Sequence, residues 1–181
     1  MKKLFQFVVV AMAAMPIFAQ GGIEAEAAPI RESEAWPTFF AVCDYPDSMQ
    51  VVGLRLTIPF SVKQEAVTGV DVGFWGRSIY FEGLQFNVLR NDVKDDMSGF
   101  QIGLYNSVGG GDLLGLQVGL FNEANSMRGA QVGIVNMSGE TEGFQIGLIN
   151  LSETMFGYQI GLINVIRDAE LQFCPIVNIG F

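Results

Sequence analysis

The sequence predicts an all-β fold: an antiparallel meander of about ten strands that closes into a small β-barrel. Three observations predict it. A glycine-framed octet recurs along most of the chain, apolar residues alternate strictly within each octet, and the octets are spaced evenly.

Starting at Gly99 the chain reads GFQIGLYN, then GLQVGLFN from Gly115, GAQVGIVN from Gly129, GFQIGLIN from Gly143 and GYQIGLIN from Gly157. Degenerate copies precede these, GLRLTIPF from Gly53, GVDVGFWG from Gly69 and GLQFNVLR from Gly83, and a last one, LQFCPIVN, runs from Leu171 to Asn178. Within a copy such as Phe144, Ile146 and Leu148 the apolar residues alternate with Gln145 and Gly147. Period two marks a strand with unlike faces, whereas a helix would need spacings of three and four. Segments such as NSVGGGD, NEANSMR, SGETE, SETMF and RDAE separate the octets, and their turn-forming and charged residues read as short exposed loops.

The glycine starts fall at 53, 69, 83, 99, 115, 129, 143 and 157, so every interval is 14 or 16. A one-residue change would send a strand's apolar set to the wrong face, so even spacing suits a hairpin meander. The alternative architecture is a parallel β-solenoid with coils of about 14 residues, in which every unit repeats singly and Gln and Asn stack in ladders. Against it, the return path of each coil falls on segments such as SGETE, which offer few inward apolar groups to fill a second wall.

The start of the chain reads differently. Lys2 and Lys3 precede an apolar run from Leu4 to Ala14 broken only by Gln6, and small residues follow up to Ala19. That order predicts a secretory signal peptide over residues 1–19, followed by a linker over 20–36 and one repeat-built β domain over 37–181, its first strand near Thr38–Cys43. Removing the two lysines moves the formal charge from −9 to −11. Such an acidic surface excludes nucleic acid as a partner.

Membrane lipid is the expected partner. A strand from Gly143 to Ser152 has the roughly 9–11 residues that a tilted spanning strand needs. The even strand count and the alternation of Phe173, Pro175, Val177, Ile179 and Phe181 point to a barrel of the outer-membrane type. Scarce tyrosine and tryptophan, four and two, and Pro59 and Pro175 inside strand patterns resist that reading.

The recurring residues read as structure. The glycines Gly99, Gly115, Gly129, Gly143 and Gly157 allow close strand approach. Gln101, Gln117, Gln131, Gln145 and Gln159 form a band of amides on one face, a polar lining or a ladder. Asn106, Asn122, Asn136, Asn150 and Asn164 mark strand exits, where their side chains favour turns. Cys43 and Cys174 are even in number in an exported chain, which permits one disulfide across the seam of a closed sheet; two small buried hydrophobes are the other reading.

No enzymatic chemistry is predicted. The chain has no histidine, neither cysteine has a base partner, and the loop acids Glu140, Glu142, Glu153, Asp168 and Glu170 read as a solvated rim. Asp92, Asp95 and Asp96 form the densest acidic cluster, but their spacing is not that of a calcium loop, and no metal or cofactor is expected.

The run of G-x-Q-[IV]-G-[LI]-x-N units and the PIVNIGF ending resemble an uncharacterised family of bacterial surface repeat-containing proteins, found in spirochaetes and other Gram-negative lineages. The resemblance covers about residues 50–181 and breaks at TIPF after Gly53 and NVLR after Gly83. It implies a place at the cell surface and carries over no functional residues. The expected function is therefore a non-enzymatic protein of the cell envelope or outer membrane, with a structural, adhesive or minor transport role. The alternative is a secreted soluble repeat module that presents a Gln/Gly ladder as a binding surface.

Overall fold

In the computed structural model, which describes residues 38–43, 45, 50–61 and 65–181, ten strands form one sheet paired in sequence order. They are β1 (Thr38–Val42), β2 (Gln50–Ser61), β3 (Ala66–Ser78), β4 (Tyr80–Val93) and β5 (Met97–Ile102), followed by β6 (Tyr105–Val118), β7 (Phe121–Val132), β8 (Val135–Ile146), β9 (Ile149–Ile166) and β10 (Phe173–Gly180). The signal peptide and linker expected over 1–36 lie outside the described residues.

Every pairing from β1 to β9 is parallel, and only β10 runs antiparallel to its neighbour. The register sets each repeat on the next: Gly129 opposite Gly143 and then Gly157, Gln131 opposite Gln145 and Gln159, Asn136 opposite Asn150. The chain is thus a parallel β-solenoid, and the antiparallel meander or barrel expected from the sequence does not form. The solenoid weighed against it does.

One coil shows the path. Met127–Val132 forms a first wall, Gly133 and Ile134 bend the chain at an apex, Val135–Ser138 returns as a second wall, and Gly139–Glu140 turns at a charged corner into the next coil. The segments expected to be exposed loops, NEANSMR and SGETE among them, are therefore second walls and corners inside β7 and β8; of those segments, RDAE alone (Arg167–Glu170) is a turn. Even spacing is kept because it preserves inward and outward residues in a coil as it does in a hairpin. The coil from Gly99 takes up its two extra residues at the corner, where three residues stand opposite one between Val108↔Ala124 and Asp112↔Ser126, whereas the longer coils from Gly53 and Gly83 also shift register at the apex, across Thr57/Phe60 and opposite Gly73/Trp75.

The objection that a second wall would lack inward apolar groups rested on placing the apolar face inside. The structure reverses the faces. Gln131, Gln145, Asn136 and Asn150 are fully buried, while Phe144, Ile146 and Leu148 are 48%, 42% and 50% exposed. Only the half of the interior next to the charged corner is apolar, a ladder of Val51, Val67, Phe81, Met97, Leu113 and Met127, each opposite the next. That ladder gives way to hydroxyls where Thr141 meets Ser152 at 2.9 Å.

The C-terminal strand settles its phase by direction. Because β10 is antiparallel, Asn178 stands opposite Gln159, and Val177 and Ile179 join the outer apolar face while Asn178 is buried. Pro175 and Pro59 both sit at register shifts, where a missing ladder donor is tolerated.

The first glycine of each octet is required by backbone and space together. Gly143 has φ +139°, and a Cβ there would lie 2.0 Å from the carbonyl oxygen of Gly129 in the coil before. Gly143→Ala is expected to destabilise the fold by at least about 1–3 kcal/mol through backbone strain. Gly109→Ala, where a Cβ would meet only Lys94 O at 3.6 Å, should stay within about 0.5 kcal/mol. Urea unfolding of the two variants checks the contrast.

Candidate functional site

Two features follow from this coil: an interior filled by amides and an outer edge that is continuously apolar. The interior is narrow enough for one side chain to bridge it. Gln131 Nε2, on the first wall, donates to Met137 O on the second at 3.2 Å, and Gln145 and Gln159 repeat the bond to Leu151 O and Val165 O at 3.3 and 3.1 Å.

The same amides link the coils. Each Gln Nε2 donates to the Oε1 one coil earlier, from Gln159 through Gln145, Gln131, Gln117 and Gln101 to Gln85, at 2.7–2.9 Å. Asparagines on the second wall form a parallel stack with the opposite polarity: Asn91, Asn106, Asn122, Asn136 and Asn150 each donate to the Oδ1 one coil later, ending at Asn164, at 2.6–2.8 Å. Each also reaches across to a first-wall carbonyl, as Asn136 does to Ile146 O at 3.0 Å. The asparagines expected at strand exits as turn formers are therefore interior rungs. In the octets from Gly99 to Gly157 the fifth position is glycine, which leaves room for them: a Cβ on Gly147 would lie 2.6 Å from Asn136 Nδ2.

Both ladders meet at Asp71. Its carboxylate accepts from Gln85 Nε2 at 3.1 Å, from Asn87 Nδ2 at 2.9 Å, from Thr57 Oγ1 at 3.2 Å and from Arg55 Nη2 at 2.6 Å, with Arg55 and Asp71 both fully buried. A buried ion needs this many partners to offset desolvation. At the far end, Gln159 Oε1 and Asn178 Nδ2, an acceptor and a donor on residues directly opposite in β9 and β10, have no hydrogen-bond partner among the described residues.

Outside, positions two, four and six of the eight glycine-started octets point away from the coil, and none of these twenty-four residues is charged. They stack as continuous columns; Phe144 and Tyr158, for example, lie parallel with ring centroids 5.7 Å apart. The position-six column is the apex itself, with Leu104, Leu120, Ile134, Leu148 and Leu162 all exposed. Charged side chains lie at the opposite corner, where Arg167 pairs with Glu153 at 3.0 Å and Arg128 with Glu142 at 3.3 Å, and on the second wall, where Arg77 pairs with Asp92 at 2.8 Å.

On the second wall Arg90 lies over Trp75 and Tyr105, 5.7 and 4.8 Å from the ring centroids, and its guanidinium pairs with Asp92 at 3.4 Å. Burial, and then the hydrogen bond to Glu123, hold the Tyr105 phenol well above its ordinary range. No family model, curated protein or solved structure matches the chain.

The other sequence candidates are dispersed. Asp92 is drawn to Arg77 and Arg90, and Asp96 Oδ1 accepts from the backbone of Asp112, so the Asp92, Asp95 and Asp96 cluster is divided among separate partners. No group of three metal-ligating side chains occurs among the described residues. Cys43 and Cys174 are both free, beside β1 and within β10 at opposite ends of the strand order, and the closed seam that would have joined them is absent. The glutamines of the ladder are buried, so they line the interior of the coil and form no exposed band. The inner column of Val51, Val67, Phe81, Met97, Leu113 and Met127 was missed by reading octets alone; extending each octet two residues before its glycine reveals it.

Two substitutions test the interior. Gln131→Leu removes the donor that Gln131 supplies to the buried Gln117 Oε1 and should cost roughly 1–3 kcal/mol. Asp71→Ala strips the carboxylate from a buried guanidinium and should cost about 3–5 kcal/mol, read from chemical denaturation of each variant.

Proposed function

We propose that this chain is a non-enzymatic structural or adhesive protein of the bacterial cell envelope surface. The observation that carries the reading is the charge-free outer edge that runs the length of the solenoid. Contiguous exposed apolar surface beyond a few hundred Å² marks a contact with membrane or protein, and this edge spans eight coils. The signal-peptide pattern and the resemblance of the octets to surface repeat proteins support a location outside the cytoplasm.

Within the roles expected from the sequence, the structure favours support or adhesion over transport. The coil interior is occupied by the amide ladders and the inner apolar column, which leaves no lumen along the described coils. The polar groups that recur most often are consumed in holding coil to coil. The carboxylates at the corner pair with arginines in the open, an arrangement suited to a solvated edge.

Fractionation of cells producing the full chain tests the reading. The protein should be recovered with the envelope and be cleaved by protease added to intact cells. Recovery in the cytoplasm, or turnover of a substrate abolished by replacing the corner acids, would overturn it.

A further inference from the structure

We infer that the apolar edge seats in the acyl-chain region of one leaflet of a bilayer, with the solenoid axis along the membrane plane and the charged corner in water. The inference deepens the envelope reading by naming what that edge meets.

The dimensions suit it. Eight coils spaced by about 4.8 Å make the edge roughly 34 Å long. Interfacial elements immerse by about 5–10 Å, and the outward columns at positions six and four lie within that depth of the apex, which leaves the Phe144–Tyr158 column near the headgroups.

The backbone permits this seating. Hydrocarbon offers a bend's amides no partner, so a bend that enters it must satisfy them itself. At this apex the amides are paired coil to coil: Leu120 N and Phe121 N both donate to Leu104 O, Ile134 N and Val135 N both to Leu120 O, and Leu148 N and Ile149 N both to Ile134 O, at 2.9–3.0 Å. The bend glycines are bonded too, Gly119 N to Val132 O at 3.0 Å and Gly133 N to Ile146 O at 2.9 Å. The amides of the apex therefore need no partner from hydrocarbon, and those of the charged corner are paired in the same way, Lys94 N to Ser78 O at 3.0 Å and Asp168 N to Glu153 O at 2.9 Å.

Charge and residue type then select lipid over a protein partner. Glu140, Glu153 and Asp168 stand at the corner opposite the apex, so the coil is amphipathic about its axis. From Ile102 to Leu162 the rungs at positions four and six are all Val, Ile or Leu, an aliphatic strip that matches acyl chains and carries none of the Trp, Tyr or Arg anchors typical of a specific protein contact.

The test uses the full chain with Cys43→Ser and Cys174→Ser and a single polarity-sensitive fluorophore on Leu148→Cys or on Glu140→Cys. With phosphatidylcholine vesicles the probe at 148 should shift to the blue and be quenched by brominated acyl chains, and the probe at 140 should do neither. Adding Leu120→Ser and Ile134→Ser, both outward, should raise the lipid needed for the shift by roughly a hundredfold while circular dichroism and melting stay unchanged. A probe at 148 that ignores lipid, that shifts with protein concentration alone as a face-to-face pair would, or that is matched by the probe at 140 overturns the inference. An envelope protein with a silent probe fails this inference alone; a cytoplasmic protein whose probe is quenched fails the envelope reading alone.

Discussion

The structure depends on one repeated interaction, the primary amide that donates to its counterpart a single coil away. A glutamine or asparagine carries two donors and an acceptor with two lone pairs, so it can bond along the stack and across the coil at once. Gln131 does both, to Gln117 Oε1 at 2.8 Å and to Met137 O at 3.2 Å. The two bonds fix the rise between coils and the separation of the walls together. Chains of such bonds polarise one another, and the glutamine and asparagine stacks point in opposite directions, so their dipoles oppose across the coil. Asp71 closes both stacks at one end with a charge that Arg55 balances.

That interior explains why the outside is greasy. Along the octets the coil is bridged by single amides, and alternation sends every large apolar residue of the octet outward, while Phe81 and Leu113 fill the half of the interior next to the corner. Glycine at the first octet position, and at the fifth in the octets from Gly99 to Gly157, answers the same shortage of space. Gly143 carries φ +139° against the carbonyl of Gly129, and Gly147 leaves the volume that Asn136 and Asn150 occupy. The molecule thereby separates its holding chemistry from its contact chemistry. Hydrogen bonds inside hold the coils, and the apolar columns outside remain uncommitted within the chain.

The octet was legible because a strand's two faces are written in period two. Phe144, Ile146 and Leu148 share one side and Gln145 the other, whichever way the strands run. Strand direction was not legible. A shift of 14 or 16 residues preserves sidedness in a hairpin and in a coil alike, so the spacing that argued for a meander is equally the spacing of stacked coils. Nor could periodicity say which face points inward, since the usual assumption that apolar residues fill the interior fails where the interior is one amide wide. The role of the asparagines was hidden for a related reason: Asn150 is a turn former by local preference, and the stack on Asn136 and Asn164 overrides it.

From the residues alone follow the all-β class, the repeat, the unlike faces and the want of histidine chemistry, because each is a property of local pattern or composition. Parallel pairing, the buried amides, the meeting of both stacks at Asp71 and the outward apolar edge emerge only on folding. They arise between residues 14 or 16 positions apart, where hydrogen-bond geometry across coils, and no preference of any single segment, selects the arrangement.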